Sequence, residues 1–183
     1  PMAIRWPSGI QGNRRVVDDY VSFADFAPTF LQVAKVLERR SGMHAITGQS
    51  LIDIFSSPKS GQVNLNRDHV LIGKERHDVG RPFNRGYPIR GIVKDDFLYI
   101  RNFEPNRWPV GNPETGYLNC DGSPTKTLIL EQRRKEETKF WKLNFGKRRQ
   151  TELYDLKIDP DCVNNLAGYP KVEKIERSLR VKL

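Results

Sequence analysis

The 183-residue sequence predicts an α+β fold, in which about four strands form one antiparallel sheet that is flanked by helices. Three patterns support this prediction. The apolar segments YPIRGIV and FLYIRNF are separated only by Lys94-Asp95-Asp96, which indicates a β-hairpin. Two further apolar runs, HVLIG at 69–73 and ELYDL at 152–156, have the length and composition of strands. Apolar residues at helical spacing elsewhere predict the flanking helices.

The first elements predicted along the chain are a strand and a helix. MAIRW at 2–6 suits a short buried strand, and Pro7-Ser8-Gly9 ends it as a turn. A helix is expected to begin near Ser22 or Asp25, either of which is a good N-cap, because apolar residues then follow at helical spacing. The next apolar segment is LIDIF, and the polar stretch 56–68 is predicted to be an exposed loop.

The C-terminal half combines a long loop with two helical regions. Residues 104–124 are rich in Pro, Gly and Asn, and loops of this length within compact domains are usually functional. Ser123-Pro124 supplies an N-cap and a first-turn proline for a helix from about 125 to 140. After the strand at 152–156, Asp159-Pro160 marks a turn, and one or two helices are expected within 161–181.

The charge of the chain favours anionic partners. A formal net charge of +9 attracts nucleic acid, acidic glycan or anionic lipid alike. Eight lysines and arginines lie within 131–149, interleaved with Phe140, Trp141 and Phe145, and such a pattern can bind a polyanion. Three glutamates interrupt this segment, so a solvated helix whose aromatic residues reach the core accounts for it as well. No run is long and apolar enough for a membrane span.

The sequence contains no complete catalytic motif: there is no Gly-x-Ser-x-Gly, no phosphate-binding glycine loop and no His-Glu-x-x-His. Cys120 and Cys162 stand in no metal-binding spacing and fit either one disulfide or two thiols. Among the three histidines, His77 is distinct because it lies within the charged stretch GKERHDVGR at 73–81. A neighbouring carboxylate could shift the pKa of this histidine and so suit it to general acid catalysis or to anion binding. A salt-bridged strand end would explain the same residues.

The order of the motifs resembles the C-terminal part of the sulfatases, which share the alkaline-phosphatase-like fold. PMAIRWPSGI with VVDDYVSFADFAPTFLQVAK, GQSLIDIF and ELYDLKIDPDCVNNLA each look like segments of that family. GKERHD, the hairpin and PNRWPVGNPETGYLNCDGSPTK most resemble the heparan N-sulfatase (sulfamidase-like) branch. The resemblance implies that 1–60 is the end of the large α/β core and its linker, including the strand and helix expected there. It assigns 61–183 to the C-terminal sulfatase subdomain.

The resemblance implies an enzyme whose nucleophile and metal ligands lie outside this chain. Sulfatases make formylglycine from a Cys/Ser-x-Pro-x-Arg motif and bind calcium, whereas this sequence has no such motif. Its ends also look cut, so a C-terminal fragment is expected. The intact parent is expected to hydrolyse sulfate ester or sulfamate groups of sulfated sugars in the periplasm, outside the cell or in lysosomes. This fragment is expected to be inactive and to hold no catalytic or metal-binding residue.

Substrate recognition is the role that the resemblance implies for the fragment, because cations hold anionic groups and a carboxylate accepts from hydroxyls. Expected partners are a sulfated carbohydrate and the remainder of the sulfatase chain, with no nucleic acid and no membrane. A basic polyanion-binding module without catalysis is the alternative, and a structural piece that only completes the parent's core is a third. The residues expected to bind substrate are Arg76, His77, Asp78, Arg81, Arg90, Arg107 and Trp108.

Overall fold

The computed structural model describes residues 2–76, 81–111 and 120–183. The chain forms two compact units, Pro1–Val70 and Leu71–Leu183, which are described separately below. Within the described ranges, no helix has both the length and the apolar character needed to cross a membrane. The assignment of 1–60 to a larger core and of 61–183 to a subdomain stays a prediction.

Short helices provide the regular structure of the first unit. The predicted helix start is confirmed, because Ser22 forms a capping box: its hydroxyl accepts from the first turn, and the Asp25 carboxylate accepts from the Ser22 amide at 3.0 Å. A 3₁₀ turn then leads directly into the first α-helix. The helical elements are the 3₁₀ turns Phe23–Asp25 and Glu38–Arg40 and the helices α1 (Phe26–Val33) and α2 (Ile52–Phe55).

The core of the first unit is built on Leu51, Ile54 and Phe55, which are buried around α2. The strand predicted at 2–6 is not formed: these residues have no regular structure, and the side chains of Met2 and Ile4 are exposed. A strand needs a neighbour to pair its amide and carbonyl groups, and among the described residues none pairs with 2–6. The apolar pattern alone therefore does not produce a strand here.

A buried arginine ties residues 61–67 to the first unit. Arg67 is 4% exposed, and its guanidinium forms an ion pair with Asp25 at 3.1 Å and another with Asp53 at 3.3 Å. It also donates to the carbonyl oxygens of Gln49 and Ser50, at 3.1 and 2.7 Å. The predicted exposed loop thus ends in a buried polar cluster, which explains why the compact unit extends beyond residue 60.

One four-stranded antiparallel sheet is the centre of the second unit, with strand order β1-β2-β3-β4. The hairpin prediction is confirmed. Asp95 and Asp96, which join its strands, have φ of 50° and 62°, and positive φ at both turn positions suits a two-residue hairpin turn. The strands are β1 (Val70–Lys74), β2 (Ile89–Lys94), β3 (Phe97–Asn102) and β4 (Thr151–Asp155).

Register places the core on one face of the sheet. Ile92, Tyr99 and Leu153 pair across β2, β3 and β4, and all three are fully buried. Leu179, from a C-terminal helix, and Ala167 complete this cluster. Because alternate strand residues point to opposite faces, the sheet uses one row of apolar side chains to hold that helix.

The helix predicted from about 125 to 140 is two helices, so that prediction is wrong in extent. Its start is confirmed, since the Ser123 hydroxyl accepts from the Lys126 amide at 3.1 Å. The first helix ends where Glu136 adopts the left-handed region, with φ of 70°. The break lets residues of both helices enter one cluster, formed by Ile129, Trp141 and Phe145. The helical elements of this unit are the 3₁₀ turns Pro82–Asn84 and Pro170–Val172 and the helices α3 (Pro124–Arg134), α4 (Lys139–Phe145) and α5 (Glu173–Lys182).

Candidate functional site

Arg81 is the centre of the candidate site in the second unit, and it is only 5% exposed. Its Nε and Nη2 donate to the carbonyl oxygen of Trp108 at 2.9 and 2.7 Å, and Nη2 also donates to that of Pro109 at 2.5 Å. The guanidinium carbon lies 5.4 Å from the ring centroid of Tyr87. Nη1 has no hydrogen-bond partner within the described part of the chain. Arg81 therefore holds the loop that carries Trp108.

Arg107 fastens the same loop from its other side. Its Nη1 donates to the carbonyl oxygen of Gly86 at 2.9 Å, and its Nη2 forms an ion pair with Glu104 at 2.9 Å. Gly86 precedes Tyr87, which the Arg81 guanidinium contacts. The two arginines thus join the segment before β2 to the loop after β3.

The site concentrates positive charge. Burial, and then the charge of Arg81, lower the pKa of Lys74 at the end of β1. Burial also lowers the pKa of Arg81; Tyr87 opposes this effect, and the charge of Arg107 adds to it. Within the described ranges, Arg107 alone among these three cations pairs with a carboxylate. An anion bound here would relieve the mutual repulsion of the cations, so the arrangement favours an anionic ligand.

A buried polar cluster adjoins Arg81. Burial, followed by the nearby charge of Glu152, raises the pKa of Tyr87 to about 12. Glu152 is itself buried and accepts from the Asn102 amide at 2.6 Å and from the Tyr154 hydroxyl at 2.5 Å. Burial and that hydrogen bond raise the pKa of Tyr154. Both tyrosines therefore stay uncharged near neutral pH.

Trp108, in the loop, packs against Trp141, in α4, and each of the two rings also contacts a cation. The rings of Trp108 and Trp141 meet edge to face, with centroids 5.6 Å apart. Nζ of Lys147 lies 5.2 Å from the Trp108 centroid, and the guanidinium carbon of Arg133 lies 3.7 Å from that of Trp141. Such cation–π contacts stabilise the pair and keep positive charge beside the loop.

Three of the predicted site residues, Arg81, Arg107 and Trp108, come together in this arrangement. The structure gives Arg90 different partners: its side chain is paired with Glu75 and donates to the Ile89 carbonyl oxygen at 2.8 Å. Arg76 is exposed just beyond the end of β1. His77 and Asp78 lie outside the described residues. Substrate contact by any of the seven residues remains a prediction.

Sequence analysis missed Lys74, Tyr87 and the specific role of Lys147. Lys74 belongs to the charged stretch GKERHDVGR, but its neighbours in the sequence do not indicate that it is half-buried and close to Arg81. Lys147 belongs to the recognised basic segment, yet its position over Trp108 depends on tertiary structure. No sequence signal singles out Tyr87.

The described residues show no metal centre, since no group of three or more His, Cys, Asp and Glu side chains there could hold an ion. Cys120 and Cys162 are separate thiols, which decides between the two alternatives that their spacing allowed. What this arrangement can do chemically is bind an anion beside a partly exposed tryptophan.

The whole chain aligns with one part of a curated enzyme. It is 27% identical over 191 residues to an ulvan-active sulfatase from Formosa agariphila, a match that covers 100% of this chain and 28% of that sulfatase. The chain is thus similar to one part of a sulfatase. No profile of a known protein family matches it. The chain therefore spans well under a third of the sulfatase to which it is similar.

Two solved structures share the fold of this chain. BT4656, in complex with its substrate D-glucosamine-2-N,6-O-disulfate, is 20% identical with a TM-score of 0.50 and covers 87% of this chain and 22% of its own. BT33494S-sulf of Bacteroides thetaiotaomicron, from a genetic locus for metabolism of multiple glycosaminoglycans, is 17% identical with a TM-score of 0.52. It covers 96% of this chain and 28% of its own. The four-stranded sheet and its helices match the C-terminal subdomain of sulfatases.

Proposed function

We propose that this chain is the substrate-recognising C-terminal part of a sulfatase that hydrolyses sulfate ester or sulfamate groups of sulfated sugars. The observation that supports this proposal is the cluster of Lys74, Arg81 and Arg107, found in a chain whose full length aligns with a sulfatase. A sulfate group offers several acceptor oxygens and a negative charge. Ammonium and guanidinium groups bind such an anion through short, charge-assisted hydrogen bonds.

The residues of the cluster have different roles in this proposal. Nε and Nη2 of Arg81 donate to the carbonyl oxygens of Trp108 and Pro109, so the role of this residue is to position the loop. Among its donors, Nη1 remains for another partner. The Arg107 side chain is 29% exposed and Lys74 is half-buried, so both can reach a ligand. Trp108 adds a partly exposed ring against which the apolar face of a sugar can lie.

Formylglycine and calcium belong, in this proposal, to the rest of the parent protein. The residues of this chain do not fit either group: the sequence has no Cys/Ser-x-Pro-x-Arg motif, and the described residues form no metal-binding cluster. The proposed contribution of the chain is therefore binding and orientation, which raise the rate by placing the sulfated sugar. A periplasmic, secreted or lysosomal parent is part of the same proposal.

A finer proposal assigns the parent to the heparan N-sulfatase branch, because GKERHD and the loop PNRWPVGNPETGYLNCDGSPTK resemble that branch. BT4656 shares the fold and binds a glucosamine that carries both an N-sulfate and a 6-O-sulfate. Separate binding measurements with N-sulfoglucosamine and glucosamine-6-sulfate test this assignment. Preference for the 6-O-sulfated sugar would contradict it.

The alternative is a basic polyanion-binding module without catalysis, and the eight cations within 131–149 favour it. The two functions predict different affinities for a small sulfated sugar. A recognition site should bind a single sulfated sugar, whereas a module that depends on many weak charge contacts should bind only long polyanions.

Calorimetry with D-glucosamine-2-N,6-O-disulfate separates these functions. We expect the chain to bind this sugar and Arg107→Gln to weaken that binding roughly tenfold, because one charge-assisted hydrogen bond is lost. Arg101→Gln is the matched control, since Arg101 is exposed on β3 and its guanidinium carbon lies 5.0 Å from the centroid of the Phe103 ring. Equal loss in both variants, or no binding of the sugar, would contradict the proposed function.

A further inference from the structure

We propose that α4 carries a second binding surface, for a sulfated polysaccharide chain longer than the sugar at the candidate site. This surface, called the α4 surface below, consists of Lys139, Phe140, Lys142 and Lys147. The inference rests on the proposed function, because it adds the polymeric nature of the ligand to the recognition of a sulfated sugar.

The helix itself puts Lys139, Phe140 and Lys142 on the outside, and Lys147 follows two residues after the helix ends. Trp141 and Phe145 are separated by four residues and are both buried, so they define the inner side of α4. Lys139 and Lys142 are three residues apart and exposed, which makes them neighbours on the outer side. Phe140 is 51% exposed, and Nζ of Lys139 lies 5.6 Å from the centroid of its ring.

The lysines of the α4 surface keep their charge available. In the described part of the chain, none of Lys139, Lys142 and Lys147 forms an ion pair with a carboxylate. Glu136 and Glu137 precede the helix and are exposed, and the same segment holds eight cations in all. Positive charge therefore prevails along α4 and attracts an anionic chain.

The α4 surface is continuous with the candidate site through one residue. Lys147 lies over the ring of Trp108, and the carbonyl oxygen of Trp108 accepts two hydrogen bonds from Arg81. A ligand bound beside Trp108 would thus lie next to Lys147, which follows two residues after α4. This contact points to one extended ligand rather than two unrelated ones.

The chemistry of the surface fits a sulfated polysaccharide better than a nucleic acid. Sulfate groups pair with ammonium groups, and the apolar face of a sugar ring fits an exposed aromatic side chain such as Phe140. Single-stranded nucleic acid binds on successive exposed aromatic rings. Here Trp141 and Phe145 are buried, which leaves Phe140 as the exposed ring of α4.

The test uses heparin as the long ligand and D-glucosamine-2-N,6-O-disulfate as the short one. The variant is the double substitution Lys139→Gln and Lys142→Gln, which leaves Lys147 in place because Lys147 lies over Trp108 at the candidate site. The control is Lys171→Gln and Lys174→Gln, which removes two exposed lysines elsewhere in the same unit. Thermal unfolding midpoints that are unchanged in both double variants show that any difference between them is a difference in binding.

We expect the α4 double variant to bind heparin roughly tenfold more weakly near 0.15 M salt, with a shallower salt dependence, because fewer counterions are released. Its affinity for the single sugar should be unchanged, and the control should lose about twofold or less of its affinity for heparin. Equal losses in both double variants, or no loss in either, would overturn the α4 surface. If the single sugar fails to bind the unsubstituted chain while heparin binding drops only in the α4 variant, the α4 surface stands and the proposed recognition site fails.

Discussion

Arg81 and Trp108 are joined by two hydrogen bonds, from Nε and Nη2 of the guanidinium to the Trp108 carbonyl oxygen at 2.9 and 2.7 Å. A third bond, to the Pro109 carbonyl oxygen, uses the same Nη2. The loop after β3 therefore depends on one buried cation that lies 27 residues earlier in the chain. This relationship makes the position of Trp108 sensitive to changes at Arg81.

Arg81→Gln should lower the free energy of unfolding of the second unit by about 2–4 kcal/mol, because the carbonyl oxygens of Trp108 and Pro109 lose their donors. Urea titration measures the loss. Arg101→Gln, at an exposed position, should change the same quantity by less than about 0.5 kcal/mol. Equal stability of the two variants would show that the Arg81 hydrogen bonds contribute little.

Tyr87→Phe should leave stability at pH 7 unchanged or slightly higher, because within the described residues the buried Tyr87 hydroxyl has no hydrogen-bond partner to lose. At high pH the variant should be the more stable protein. The folded state raises the pKa of Tyr87 from 10.0 to about 12. Ionisation of Tyr87 therefore costs no stability below pH 10 and destabilises the folded chain as the pH rises from 10 through about 12.

The size of that alkaline effect is about 2–3 kcal/mol, which follows from the size of the pKa shift. Urea titrations at pH 7.5, 10 and 12 should show a smaller loss in Tyr87→Phe than in the unsubstituted chain. Tyr169→Phe is the control, since Tyr169 is exposed. An identical alkaline loss in Tyr87→Phe and the unsubstituted chain would refute the assignment of the effect to Tyr87.

Arg67→Ala should unfold or severely destabilise the first unit, by about 3–5 kcal/mol. The reason is that the substitution leaves the buried carboxylate of Asp25 without its counter-charge. Hydrogen exchange of the amides in 49–67 reports this unit separately. Arg39→Ala, an exposed change in the same unit, should leave their protection as it is. Protection that survives in Arg67→Ala would mean that the polar cluster does not hold the unit together.

The purified 183-residue chain should hydrolyse neither an aryl sulfate nor a sulfamate. Its sequence lacks the Cys/Ser-x-Pro-x-Arg motif from which sulfatases make their nucleophile, and binding groups alone do not supply covalent catalysis. Sulfate release is measured with and without a chelator. Turnover that copurifies with the chain and survives the chelator would contradict the proposal that formylglycine and calcium belong to the rest of the parent protein.

In the intact parent, Arg76→Ala and His77→Ala should lower kcat/KM for the natural sulfated glycan by about 1–3 kcal/mol each, the cost of a lost charged hydrogen bond. A small aryl sulfate, which lacks the sugar that these residues are proposed to contact, should lose much less. Steady-state kinetics on both substrates distinguish the cases. Equal losses of kcat/KM on both substrates would indicate that His77 takes part in the catalytic reaction. No loss on either substrate would indicate that GKERHDVGR is only a salt-bridged strand end.

Local patterns predicted the elements whose stabilising groups lie close together in the sequence. The Asp95-Asp96 turn joins adjacent strands, and Ser123 caps a helix that begins at the next residue. The predicted strand at 2–6 and the single helix from 125 to 140 were wrong because their outcome depends on distant groups. A strand requires a partner strand, and the break near Glu136 serves a cluster shared by Ile129 and Trp141.

The sequence by itself determined the sheet of the second unit, the helix starts near Ser22 and Ser123 and the similarity to sulfatases, because caps, turns and motif order act over short stretches of chain. Only the tertiary structure decided that Arg81 is buried against the Trp108 carbonyl, that Arg90 pairs with Glu75 and that Lys147 covers Trp108. A buried cation must satisfy its donors within the folded molecule, and the partners available to it depend on which loops packing brings together. All three residues are cations, yet folding gives them different roles: Arg81 positions a loop, Arg90 forms an ion pair, and Lys147 lies at the surface over Trp108.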